Sequence, residues 1–283
     1  MIKITLPDDS VKEYDKAVTP YDIAMGISER LAQDTLGARI NGVLKDANVV
    51  IDCDATVALV TRRSDVEGAL ELIRHSCAHV MAEAIVNLYP QAQLVYGPAL
   101  DTGFYYDIDL DQAISTDDFA AIEAEMKKIV KEVRPFTRYE SSREEVLTRL
   151  TEEGNRYKIE NAQRADGDTL SFYVTGECDK GHFEDLCKGP HVPNTGRIKA
   201  FKLMSVAGAY FHGDTNEKQL QRIYGIAFGD KKELKQHLLK LEESKKRDHR
   251  VLGKQLELFY IDDAVGQGLV LWKPNGAVVR QAL

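Results

Sequence analysis

Residues 64–88 read SDVEGALELIRHSCAHVMAEAIVNL, and the way this stretch folds decides how the rest of the chain is arranged. Ser64 followed three residues later by Glu67 has the form of a capping box. Tyr89-Pro90 disfavours continuation beyond Leu88, so the expectation is one long helix. Residues four apart differ by about 40° around a helix, so His75 and His79 leave it on one side, with Cys77 between them in sequence. The chain has only seven histidines, and two imidazoles one turn apart need a partner. The segment DLCKGPHVP offers one, because Cys187 and His191 repeat the four-residue interval on a Gly-Pro loop.

Upstream, IKITLPDDSVKEY alternates Ile2, Ile4 and Leu6 before a PDDS turn, which predicts a hairpin. TPYD at 19–22 supplies a cap residue, a proline at the first helical position and an acid in the first turn. Asn41-Gly42 suits a type I′ turn between two short strands, and VALVT at 57–61 closes the series. The order β-β-α-β-β in some sixty residues predicts a β-grasp module over 1–63. Downstream, helices are expected over Thr116–Arg134 and Ser142–Glu153. The first has Phe119, Ile122, Met126, Ile129 and Val133 on one face; the second has Glu145 completing a capping box and Gly154 at its end. GFYYDIDL, LSFYVTG, RIKAFKLMSV, AYFHGD and RIYGIAF read as strands, making 64–227 an α+β domain. Residues 228–250 read as an exposed, charged linker helix with a narrow Leu234, Leu238, Leu241 stripe. The last segment, 251–283, reads as a strand, a turn and the start of a helix, too little for a domain of its own.

At 283 residues and 43% hydrophobic composition, the chain has room for two or three ordinary cores. No apolar run approaches the ~20 residues needed to span a bilayer, and Met1 opens without a signal-peptide core, so a cytoplasmic, membrane-free protein is expected. Four scattered cysteines make no disulfide framework, and a reducing compartment favours chemistry or metal binding for some of them. A net charge of −8 argues against a nucleic-acid partner until its distribution is considered. The middle block is acidic, yet the 28 residues from Leu186 to Gly213 contain no Asp or Glu and do contain Lys188, Arg197, Lys199 and Lys202. A basic strip of that kind is either a phosphate-binding surface or a solvated face.

The tetrad His75, His79, Cys187 and His191 admits two readings. Three nitrogens and a thiolate suit tetrahedral zinc, although the spacing is not that of a zinc finger and HSCAH lacks the glutamate of an HExxH peptidase. The same side chains equally build a metal-free pocket whose histidines carry protons. Tyr106, Lys158 and Asp185 lie beside apolar runs; taken singly, they read as a core tyrosine, a surface lysine and a turn-capping aspartate.

Taken together, ITLPD, HSCAHVMAEA, GPALDTGFYYDIDL, CKGPHVPNTG, FKLMSVAGAYFHGD, LQRIYGIAF and RDHRVLGKQLELF resemble the N-terminal part of bacterial threonyl-tRNA synthetases over essentially the whole chain. The resemblance implies a ubiquitin-like TGS domain, then an α+β editing domain of the threonyl/alanyl-tRNA synthetase type, then a linker helix. It implies that the editing pocket is made by His75, His79, Cys187, His191, Lys158, Tyr106 and Asp185. The alanyl relatives hold zinc on a similar tetrad and the threonyl family edits without it, so no metal or other cofactor is expected at this site. The class II motifs, with their ATP, magnesium and catalytic zinc, would lie beyond Leu283.

The implied reaction is hydrolysis of the ester joining serine to the acceptor end of tRNA(Thr). One missing methyl is worth only ~1–3 kcal/mol of discrimination, so a synthetase site that accepts threonine also admits serine, and a second site must remove it. His75 is expected to carry the proton and Lys158 to stabilise or protonate a developing oxygen. Asp185 is expected to hold the substrate ammonium with Tyr106 shaping the pocket, while Lys188, Arg197, Lys199 and Lys202 contact tRNA phosphates. A covalent role for Cys187 is the lesser expectation. The competing readings are a tRNA-binding module without hydrolysis and a free-standing deacylase. A monomeric piece of a homodimeric enzyme is expected.

Overall fold

The first sixty residues follow the alternation of their apolar side chains. In the computed structural model, which describes residues 1–177, 183–262, 264–266 and 268–283, β1 (Ile2–Thr5) and β2 (Val11–Tyr14) form the expected hairpin. Thr19 and Asp22 form a reciprocal capping box at the start of α1 (Pro20–Met25). A short helix that the sequence pattern did not show, α2 (Glu29–Asp34), follows under a Ser28 cap; at six residues it is too brief to display a period. β3 (Gly37–Ile40) and β4 (Val43–Asp46) meet at Asn41 and Gly42, whose φ values of 49° and 84° are what a type I′ turn needs. With β5 (Ala55–Val60) the sheet has the order β2-β1-β5-β3-β4, with β1 and β5 parallel. VALVT supplies β5, a strand that the order β-β-α-β-β leaves out of its count, and the module adds a second helix. Ile4, Val18, Ile23, Ala38, Ile51 and Val57 fill its core.

The quoted stretch forms α3 (Val66–Leu88), but Asp65 caps it, not Ser64. The Asp65 carboxylate accepts from the Gly68 amide at 2.9 Å and from Arg39 of β3 at 2.6 Å. Ser64 is diverted, donating to the Leu59 carbonyl and accepting from the Thr61 amide. The helix is buried on nearly every side from Gly68 to Ile85. It packs against β7 (Ala99–Leu100) and β8 (Gly103–Asp109), which follow β6 (Gln93–Tyr96) in the chain, and against α4 (Phe119–Lys131). Val133, placed on the α4 face by spacing, lies past the helix end with φ 52° and is exposed.

β9 (Phe136–Ser142) leads into α5 (Arg143–Glu153), which carries the Ser142–Glu145 capping box and ends at a left-handed Gly154 as its sequence requires. A second unanticipated helix, α6 (Arg156–Arg164), starts at an Asn155 cap. β10 (Thr169–Thr175) and β11 (Glu184–Leu186) complete a β11-β10-β9 sheet. β12 (Ala200–Tyr210) and β13 (Gln219–Phe228) extend the other sheet to β12-β13-β8-β6, with β7 paired to β8. One core runs through this domain and takes in Leu36 and Val60 of the β-grasp module beside Leu72 and Ile73 of α3. Gly37 is needed there, because a Cβ would stand 2.8 Å from Leu72 Cδ1.

Met1–Lys231 form one compact unit and Lys232–Leu283 another. In the latter, the expected single linker helix is divided: α7 (Lys231–Lys246) has no fully buried side chain, and α8 (His249–Gln255) restarts under an Asp248 cap. The hairpin β14 (Phe259–Ile261) and β15 (Val270–Trp272) precedes α9 (Pro274–Ala282). Among the described residues, no helix is long and apolar enough to cross a membrane.

The cap assignment makes a direct prediction. Asp65→Ala removes both the cap bond and the Arg39 pair and should cost about 1–2 kcal/mol in urea unfolding. Glu67→Ala, at an exposed position outside any capping box, should stay within about 0.5 kcal/mol of the parent. Equal losses would return the cap to Ser64 and Glu67.

Candidate active site

α3 delivers His75 and His79 to one side, and the loop after β11 delivers Cys187 and His191 to meet them. Cys187 Sγ lies 3.3 Å from His75 Nε2 and 3.4 Å from His191 Nε2, and it accepts from the Gly189 amide at 3.2 Å. His75 and His191 stack with ring centroids 4.2 Å apart, while His79 stands edge-on to both. The four ligand atoms fall within 4.8 Å of one another. All four tetrad residues are therefore neighbours, as the repeated spacing implied.

Hydrogen bonds behind the rings set their tautomers. The Pro190 carbonyl, 3.1 Å from His75 Nδ1, can only accept, so Nδ1 carries the proton. Ser76 spends its own hydrogen on the Leu72 carbonyl at 2.8 Å and accepts from the Val192 amide and from His191 Nδ1. Both Nε2 lone pairs thus face Cys187. Such a set fits a divalent, thiophilic cation such as zinc. It fits equally a pair of neutral imidazoles able to take a proton from water. Ser76 was not among the sequence candidates, although its place between His75 and Cys77 could have signalled it.

Beside the tetrad, three buried polar groups close on one another. Asp185 of β11 is paired with Lys158 of α6 and accepts from the Tyr106 hydroxyl of β8. Lys158 Nζ also reaches Tyr106 Oη at 3.2 Å, and His79 Nε2 lies 3.8 Å from Asp185. Lys158 is only 6% exposed and Asp185 4%, so Lys158 is no surface lysine. A charge at that depth needs its partner.

Burial dominates the electrostatics. It holds His79 down at about 3 against the opposing pull of Asp185, pushes His191 well below its ordinary value and lowers His75. The three rings are neutral at physiological pH. Burial, with Asp185 nearby, also raises the Cys187 thiol to about 12. For Asp185, burial alone would raise the carboxyl, but Lys158, His79 and the bonds from Lys158 and Tyr106 outweigh it and hold it below the usual range.

His75, His79, Cys187, Lys158 and Asp185 line one cavity of about 570 Å³, together with Tyr96, Asn161 and His212 from outside the expected set, whereas Tyr106 and His191 are not part of its lining. His212 sits at the rim, exposed, with φ 51°. Of the four expected tRNA contacts, Lys188 alone lines this cavity. Arg197 bonds the Gln33 carbonyl of the β-grasp module, and Lys202 pairs with Glu123 at 2.9 Å; Lys199 is exposed. Cys77 is buried in the core, Cys53 is exposed, and Cys178 lies outside the described residues.

The depressed histidines make a pH prediction. Their folded values lie below about 6.5, so the unfolded chain binds the protons first. The stability they contribute is complete above about 6.5 and falls as pH drops below it, in the case of His79 down to about 3, by up to about 1.4 kcal/mol per pH unit for that ring. His79→Gln should flatten the slope of unfolding free energy between pH 6 and 4 by about that amount. Parallel slopes for variant and parent would contradict the burial argument.

Comparison with known proteins bears on what this cavity belongs to. Residues 2–61 match the TGS domain family, and residues 170–224 match the threonyl and alanyl tRNA synthetase second additional domain. The threonine–tRNA ligase of Cytophaga hutchinsonii is 48% identical over all of this chain, which covers 43% of that relative. Threonine–tRNA ligase 1 of Bacillus subtilis is 47% identical, and the Streptococcus equi subsp. zooepidemicus threonine–tRNA ligase 46%, with the same coverage. The chain thus spans less than half the length of the curated relatives it matches. Over its whole length the chain is similar to part of the bacterial threonine–tRNA ligases, and it carries the TGS domain and the threonyl and alanyl tRNA synthetase second additional domain.

Proposed function

We propose that the cavity is a post-transfer editing site, hydrolysing the ester of serine mischarged onto tRNA(Thr) during cytoplasmic translation. The observation that carries this reading is that His75, with its Nε2 turned to Cys187 Sγ, and the buried Lys158–Asp185 pair line one partly enclosed space, backed by the Tyr106 hydroxyl on Asp185. In the complete ligase, ATP-dependent aminoacylation, with its magnesium and zinc, would belong to other segments.

The substrate ammonium would take the place of Lys158 at Asp185, freeing Nζ for the ester. Water would then attack the carbonyl carbon, giving its proton to His75 Nε2 in concert with the neighbouring ribose hydroxyl. The C–O bond to the ribose breaks, and the leaving oxygen takes a proton from the Lys158 ammonium. His79, His191, Cys187 and Tyr106 would shape the space that admits serine and refuses the extra methyl of threonine. A thiol raised to about 12 is a poor nucleophile at neutral pH, which favours water over a serinyl thioester. A zinc ion held by His75, His79, Cys187 and His191 would supply a more acidic water, but neutral imidazoles can accept the proton without one, so the reaction is assigned to the side chains alone. Lys188 at the cavity mouth is the first candidate for a tRNA phosphate contact.

The chain should deacylate Ser-tRNA(Thr) and spare Thr-tRNA(Thr), with the rate unaffected by a zinc chelator. His75→Ala should lower kcat by about 100-fold or more. Deacylation should also weaken steeply as salt rises. An unaltered rate in His75→Ala, a trapped thioester on Cys187, or chelator loss restored by zinc would each overturn part of the scheme, in that order: the base, the water, the absence of metal.

A further inference from the structure

Asp46 ends β4 in the β-grasp module, 145 residues before His191, yet its carboxylate reaches the editing loop. One oxygen accepts from the His191 amide at 2.7 Å, and the other accepts from the Tyr173 hydroxyl at 2.6 Å. Tyr173 is fully buried on β10 and stands edge-on to the His191 ring at 4.4 Å. Its hydroxyl occupies the space where any side chain at position 189 would have to go, and Gly189 carries φ 73°. On its other side, His191 stacks on Phe136 at 5.0 Å and 8°. The ring that faces Cys187 is therefore held at its backbone by Asp46, at Nδ1 by Ser76, and by Phe136 and Tyr173.

Side-chain packing does not do this work alone. A cavity of about 380 Å³, lined by Ala47, Val49, Phe136, Arg138, Tyr173 and His191 among others, lies behind the loop. Across that gap the bond from the His191 amide links the module directly to the tetrad, and the bond from Tyr173 links it to the residue packed on the His191 ring. Without Asp46 the His191 amide, in a residue 1% exposed, loses its acceptor. Misplacement of a reacting group by about 1 Å costs about 100-fold in rate.

We propose that Asp46 is a positioning residue for the editing site, so that the β-grasp module helps to build that site and is not merely attached to it. The inference rests on the hydrolytic reading above for its kinetic consequence, but its structural consequence can be measured separately. In the whole chain, Asp46→Asn keeps the shape but leaves a single acceptor oxygen for two donors. The kcat for Ser-tRNA(Thr) deacylation should fall about 10-fold or more, with KM within about twofold of the parent. Iodoacetamide alkylation of Cys187, followed by peptide mass spectrometry, should accelerate at least about threefold as the loop loosens. Tyr173→Phe, which keeps the Asp46–His191 bond, should move both readouts the same way by less, and it decides the matter if Asp46→Asn does not fold. Lys45→Ala, exposed on the same strand, should move neither. Unchanged Cys187 alkylation, or a change in KM alone, overturns the proposal. A parent chain that alkylates as expected but fails to deacylate overturns the hydrolytic reading and leaves the Asp46 result standing.

Discussion

The architecture turns on one constraint: a 23-residue helix is buried almost all round while carrying polar and ionisable side chains. Each such group must find a partner inside the protein, because leaving one unpaired costs about 1–3 kcal/mol. Arg74 is answered by the carbonyls of Leu100 and Asp101 in the turn between β7 and β8. Glu83 is answered by Arg134, which also bonds the Thr175 carbonyl. Ser76 and His75 draw in the 187–192 loop through Val192, His191 and Pro190. The demands of α3 thus dictate which later segments come to lie on it, and a site emerges where the demands crowd together.

Not every atom on that helix is answered: Arg74 Nε, Glu83 Oε2 and His79 Nδ1 are buried without a hydrogen bond among the described residues, and of the three His79 lies at the site. The His79 Nε2 faces Asp185 at 3.8 Å, too far for a hydrogen bond. The nearby Lys158–Asp185 pair is equally poor as a stability device, since desolvating two charges offsets most of their attraction. Its value is different: a paired charge at the back of a cavity can exchange its partner for a ligand of the same sign at little electrostatic cost. In the proposed reaction, an ammonium group entering beside Asp185 would meet a place already organised for a cation, and the displaced lysine would remain within the same space.

Much of this was legible in the sequence, and the reason differs by element. Caps were readable where they are local, as at Thr19–Asp22 and Ser142–Glu145, since every participant lies within four residues. The Ser64 cap failed because a distant residue, Arg39, draws Asp65 into the role, and no local pattern encodes that competition. The tetrad could be read because helix geometry and a repeated interval constrain both pairs. Assigning Tyr106, Lys158 and Asp185 to it took resemblance, since three separate strands and helices supply them. α6, which carries Lys158, had too short and too charged a sequence to announce itself. Arg197 and Lys202 looked free in a stretch without acids, yet their partners Gln33 and Glu123 lie outside it.

That last failure shows why the β-grasp module should not be treated as an independent bead. Arg197 reaches back to α2, Arg62 donates to the Arg197 carbonyl, and Leu36 and Val60 sit in the same core as α3. Hydrogen bonds with so many residues between their ends constrain a fold more than local ones do, because they can form only when both segments are already in place. A module fastened at its strands, its helix and its β4 end has little freedom to swing. Whatever happens to the 187–191 loop is therefore felt at β4, and the orientation of one imidazole becomes a property of the first sixty residues as much as of the domain that contains it.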